Sequence, residues 1–92
     1  KLTKKSYKKL KQLATTDPKL ATQIADHIIQ LRKWLIIGEA LRGYVDYKKV
    51  RVRKFRIIYT VNNNVLWIVI LDKRETVYDT FTKYIKNTNS WF

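Results

Sequence analysis

The hydrophobic period of this chain changes twice along its length, and those changes decide its fold class. Up to Leu35 apolar residues recur at helical spacing, from Tyr47 to Leu71 they follow strand patterns, and from Arg74 the helical spacing returns. Helices and strands segregated into blocks predict an α+β protein. The chain of 92 residues is expected to form a single domain spanning 1–92.

In the first block, Tyr7, Leu10, Leu13 and Ala14 make an apolar stripe from Thr3 onward, while Lys4, Lys5, Lys8, Lys9 and Lys11 read as a solvated face. Thr15-Thr16-Asp17-Pro18 ends this helix and starts another, since Asp17 is a good N-cap and Pro18 suits the first helical position. The second stripe is Leu20, Ile24, Ile28, Leu31 and Leu35, and it runs until Gly38, a residue type favoured just past a helix end. Residues 1–37 are therefore expected to form an antiparallel helical hairpin, followed by a loop from Gly38 to Asp46. His27, the only histidine, lies beside the second stripe and reads as structural.

Strands are expected within 47–71. From Tyr47 to Arg53 apolar and basic residues alternate, so that Val50 and Val52 face one way and Lys49, Arg51 and Arg53 the other. Phe55 to Val61 is a second strand, and Asn62-Asn63-Asn64 is a tight turn because Asn tolerates positive φ. Val65 to Leu71 is apolar on both parities, which predicts a central strand covered on both faces. The N-terminal hairpin covers one face, leaving the other to more of this chain or to a partner. Residues 74–86 form a last helix with the stripe Val77, Phe81, Tyr84 and Ile85, and Tyr78 sits beside that stripe. Asn87 to Phe92 is a polar tail ending in Trp91 and Phe92, either a disordered end or an anchor.

Composition narrows the function. Without cysteine there is neither a disulfide framework nor a thiolate metal site, and the composition fits the cytoplasm. No metal site and no cofactor are expected, there being no Gly-rich phosphate loop, Ser/His/Asp set or carboxylate pair of obvious spacing. The run Val65–Leu71 falls far short of the roughly 20 residues that cross a bilayer. The chain contains no Met, which points to sequence upstream of Lys1. Twenty Lys and Arg stand against seven acids, a formal net charge of +13, which favours a polyanionic partner.

The cations with a pattern are Lys49, Arg51 and Arg53, with Arg56 on the adjoining strand. A strand spaces alternate side chains about 6.6 Å apart, near the phosphate repeat of extended nucleic acid. A solvated edge strand defended by charge is the plainer reading. Arginine favours the first, because its planar fork matches phosphate bidentately, whereas edge defence is usually left to lysine.

The order of features resembles the RelE/ParE superfamily of bacterial toxins. The likeness is carried by Tyr47-Lys48-Lys49-Val50-Arg51-Val52-Arg53-Lys54-Phe55-Arg56-Ile57-Ile58-Tyr59, by the apolar strand after it, and by Lys73-Arg74-Glu75-Thr76-Val77-Tyr78. Leu41-Arg42-Gly43 resembles the short motif ahead of the family's second strand. The resemblance implies a twisted antiparallel sheet packed on the N-terminal helical hairpin, with a short C-terminal helix, a concave face that binds RNA or an antitoxin, and an upstream first strand whose end Lys1-Leu2 would be. It further implies a metal-independent endoribonuclease that cleaves mRNA on the ribosome through attack of a ribose 2′-hydroxyl on the adjacent phosphate, blocking translation. Lys49, Arg51, Arg56, Arg74 and Tyr78 match the catalytic positions, with Arg56 holding the phosphate, Arg74 the leaving group and Tyr78 acting as base or stacking on a base. Lys48, Arg53, Lys54 and Lys73 match RNA-contacting positions. Asp72 departs from the pattern, since many relatives carry a basic residue or histidine there. The implied partners are the mRNA, the ribosome and an acidic, partly disordered antitoxin. The alternatives are a ParE-type DNA gyrase inhibitor and a non-catalytic RNA- or ribosome-binding module.

Overall fold

A computed structural model describes residues 1–89 as two helices, four strands and a third helix: α1 (Lys4–Thr16), α2 (Pro18–Arg32), β1 (Glu39–Leu41), β2 (Tyr44–Val52), β3 (Phe55–Asn62), β4 (Val65–Lys73) and α3 (Val77–Asn89). The strands form one antiparallel sheet in the order β1-β2-β3-β4. The α1–α2 hairpin packs on one face of the sheet and α3 on the other, so the expected α+β architecture holds.

Local chemistry fixes the element ends. The Thr3 hydroxyl oxygen accepts from the Ser6 amide at 3.2 Å to cap α1. Asp17 Oδ1 accepts from the Leu20 amide at 3.2 Å to cap α2, with Pro18 at its start. The β3–β4 hairpin turns on Asn63 and Asn64 at φ 52° and 62°, the pair of left-handed residues that a two-residue hairpin demands.

The end of α2 differs from expectation. The helix stops at Arg32 rather than running to Gly38, and Leu35 is 70% exposed instead of continuing the stripe. A Schellman turn closes it, with the Trp34 amide donating to Leu31 O at 3.1 Å and the Leu35 amide to Gln30 O at 2.9 Å. Trp34 adopts φ 60° at the position where glycine is usual, a conformation costing a side-chain-bearing residue about 1–2 kcal/mol. Gly38 serves another purpose. A Cβ there would lie 2.6 Å from Lys49 O, 2.8 Å from the Tyr59 ring and 2.9 Å from a Val50 methyl, and its amide donates to the Tyr59 hydroxyl at 2.8 Å. The connector is thus pinned flat on the sheet, and the next residues pair as β1, so the expected loop over Gly38–Asp46 is instead a β-hairpin turning at Gly43, φ 84°.

The core has two halves. Leu13, Leu20, Ile24 and Leu31 meet Val52, Ile57, Tyr59, Ile68 and Leu71 on one side of the sheet. On the other, Val77 and Phe81 of α3 meet Leu41, Ile58, Val69 and Ile70. β4 is therefore covered on both faces by this chain, yet it is the last strand of the sheet and not a central one. Its outer edge is met by Leu2, which forms a parallel bridge with Ile68. Double coverage by helices, rather than central position, accounts for its unbroken apolar run. α3 starts at Val77 and extends to Asn89, beyond the 74–86 expected, so Asn87–Asn89 is helical; Ser90, Trp91 and Phe92 lie outside the described residues. No helix among the described residues is long and apolar enough to cross a membrane.

Candidate nucleic-acid interface

The strand period sends Lys49 and Arg51 of β2 to the α3 side of the sheet, where Arg51 stands directly opposite Arg56 of β3. α3 is held over this region by an aromatic cluster in which Phe81 meets Tyr44 and Tyr47 edge-on, at centroid distances of 4.9 and 5.0 Å. Burial, with the neighbouring Tyr84 and Asp46 adding to it, pushes the Tyr47 phenol above its ordinary range and keeps it neutral. The first turn of α3 consequently lands beside β2, and the Lys49 ammonium donates to the Tyr78 hydroxyl at 3.1 Å while lying 5.6 Å from its ring centre. Arg74 is brought in from the β4–α3 turn, its amide donating to Lys54 O at 2.9 Å.

The result is an open cleft of about 540 Å³ lined by Lys49, Arg51, Arg56, Arg74 and Tyr78, together with the connector. All five residues matched to catalytic positions meet in this one place. Arg51 Nε donates to Arg53 O at 3.3 Å, and Arg56 Nη1 makes a long bond of 3.4 Å to Phe55 O, so most of both guanidinium forks stays available. Tyr78 is 41% exposed.

Of the four residues matched to RNA contacts, Arg53, Lys54 and Lys73 gather at the β2–β3 turn, outside the lining of the cleft, and Lys48 stands apart. Arg53, expected on the strand face with Lys49 and Arg51, leaves it: it takes φ 55° in the two-residue turn between β2 and β3, which Lys54 completes. The alternating pattern simply runs past the end of the strand. Lys48 faces the opposite side of the sheet, and Lys73 ends β4 opposite Phe55.

No protein-family model, curated protein or solved structure matches this chain. The chemistry of the cleft is read from its own residues.

One of those was not foreseen. Glu39 lines the cleft and is the cross-strand partner of Lys49 in the β1–β2 register, the only carboxylate among the lining residues. Its signal was hidden because β1 is three residues long and looked like loop. Asp72, by contrast, does not line the cleft. It faces Arg56 across β3–β4, but its Oδ1 accepts from the Lys73 amide at 2.8 Å, its Oδ2 from the Thr80 hydroxyl at 2.9 Å, and Lys9 Nζ approaches to 3.9 Å. Burial pushes this carboxyl up, but the Lys73, Thr80, Lys9 and Thr76 interactions outweigh it and hold the group below the usual carboxylate range. His27 also lies outside the cleft, its Nδ1 donating to Gln23 O at 2.8 Å within α2.

Proposed function

We propose that this chain is a RelE-type toxin of a toxin–antitoxin pair, a ribosome-dependent endoribonuclease that cuts mRNA and stops translation. The observation that supports the reading best is the meeting of three arginines, a lysine, a tyrosine and one carboxylate around a single open cleft. Cleavage needs a base for the 2′-hydroxyl proton, cations for the dianionic phosphorane and a proton or cation for the departing oxygen. The 2′-oxygen bonds to phosphorus, the bond to the 5′-oxygen breaks, and the products are a 2′,3′-cyclic phosphate and a 5′-hydroxyl. Arg51 and Arg56, facing each other across two strands, suit the non-bridging oxygens. Arg74 enters from another side of the cleft and suits the departing oxygen. Glu39 and Tyr78 are the two groups offered as the base, with Lys49 the cross-strand neighbour of Glu39 and 3.1 Å from the Tyr78 hydroxyl.

The same cationic surface fits an acidic, partly disordered antitoxin, which would occupy it in competition with RNA. The test is single-turnover cleavage of ribosome-bound mRNA, mapped by primer extension. Arg56→Ala is expected to lower the rate by about 10²–10³-fold, and whichever of Glu39→Gln and Tyr78→Phe removes the base by about 10²–10⁴-fold. Wild-type cleavage in all three variants would refute the assignment. Inhibition of gyrase supercoiling with no RNA cut would replace it with the ParE-type reading, and salt-sensitive RNA binding with no cleavage would replace it with a binding module.

A further inference from the structure

Trp34 holds the left-handed position of the Schellman turn, where glycine would close the helix without strain. The indole gains little burial in return, being 67% exposed. A strained backbone that displays a large aromatic ring is an arrangement that folding alone does not call for. The ring forms one wall of a groove of about 280 Å³, whose other apolar walls include Ile36 and Val61. Asp46 and Lys48 stand at its polar side, two residues apart on β2 and so projecting to the same face of the sheet. Ile37 lines both this groove and the cationic cleft, so the two adjoin at the connector, the groove on the hairpin face of the sheet and the cleft on the α3 face.

We propose that this groove is a subsite for one unpaired nucleobase, preferentially guanine, of the RNA whose phosphates the cleft holds. The proposal rests on the nucleic-acid reading of that cleft. Single-stranded RNA is recognised by splaying a base onto an aromatic side chain and reading its Watson–Crick edge. The groove has the size of one ring system, a stacking wall, an anionic acceptor and a cationic donor. Guanine alone among the four bases offers a carboxylate two adjacent N–H donors, N1–H and the 2-amino group, next to an oxygen that an ammonium can reach. Asp46 and Lys48 supply a carboxylate and an ammonium on one side of the groove.

The experiment is an NMR titration of the full chain with 2′-O-methyl tetranucleotides, which bind without being cut. The Trp34 indole N–H signal, identified by its loss in Trp34→Gly, is followed for U-U-G-U, for the same sequence with inosine in place of guanosine, and for U-U-U-U. The expected result is tighter binding of the guanosine oligomer and perturbation of the Trp34 signal. Trp34→Gly is expected to weaken it by roughly 5- to 150-fold, the range for losing one base stacked on an aromatic ring, and Asp46→Asn to abolish the preference over inosine. Trp34→Gly also keeps the fold, with an unfolding temperature equal to or above that of the parent chain, because glycine meets φ 60° without strain. Equal affinity for all three oligomers, unchanged in Trp34→Gly but weakened in Arg56→Ala, overturns the base subsite and leaves the phosphate cleft standing. Binding of none of them overturns both. Loss of binding to an acidic protein partner in Trp34→Gly with oligonucleotide affinity intact assigns the groove to that partner and overturns the proposal.

Discussion

At Gly38 the connector lies so close to β2 and β3 that a single methyl group has no room. Two of the three atoms it would meet are backbone and ring, so relief requires moving the connector. Gly38→Ala is expected to destabilise the fold by about 1–3 kcal/mol in denaturant unfolding, as overpacking does. Ile37 and Glu39 flank this residue, so the same substitution is expected to lower cleavage beyond what the lost stability explains. Asp72 sets the acid limit in a similar local way. Its carboxyl is held below the usual range in the folded chain, so its stabilising contribution is complete above the unfolded value of about 3.9 and is lost as pH falls through the lower folded value. An acid titration of stability is expected to show a shallower fall in Asp72→Asn than in the parent chain.

Individual elements differ in how openly the sequence announces them. The start of α2 was legible because Asp17 and Pro18 each have one good place in a helix, and Asp17→Ala is expected to cost about 1 kcal/mol of stability by thermal unfolding. The Asn63-Asn64 turn was legible for the same reason. The end of α2 was not, because the helix closes on Trp34 where sequence rules look for glycine, and the available glycine four residues later was taken for the stop. β1 escaped notice at three residues, and with it Glu39, the cleft's carboxylate. Arg53 misled in the opposite direction, since a period of two carries no mark of where a strand becomes a turn. Of the five residues that meet in the cleft, Lys49, Arg51 and Arg56 share one sheet face by register, whichever way the connectors run. Arg74 and Tyr78, matched only through the family resemblance, come in from the β4–α3 turn and from α3. Phe81→Ala is expected to cost about 3–5 kcal/mol and to loosen the Lys49–Tyr78 contact, seen as faster hydrogen exchange at the start of α3.

For the molecule as a whole, a charge of +13 makes encounter with any polyanion fast and any affinity dependent on salt. The dependence counts contacts. If Lys49, Arg51, Arg56 and Arg74 each neutralise one phosphate of a single strand, the logarithm of affinity falls with the logarithm of salt at a slope of about −3. A filter-binding series across salt concentrations checks this, and a much steeper slope would bring the lysines of α1 into the interface. The opposition of Arg51 and Arg56 across β2 and β3 has a consequence of a different sort. Like charges directly facing one another weaken a sheet, and although Asp72 faces Arg56 from β4, an anion arriving between Arg51 and Arg56 relieves the repulsion across β2 and β3. A phosphate or polyphosphate is then a folding ligand, raising the unfolding temperature with the logarithm of its concentration once that exceeds the dissociation constant. Arg51→Gln is expected to unfold at a higher temperature than the parent in plain buffer and to gain less when phosphate is added. A chain built in this way is least durable when alone and most durable when its cations are covered, which ties its lifetime to the company it keeps.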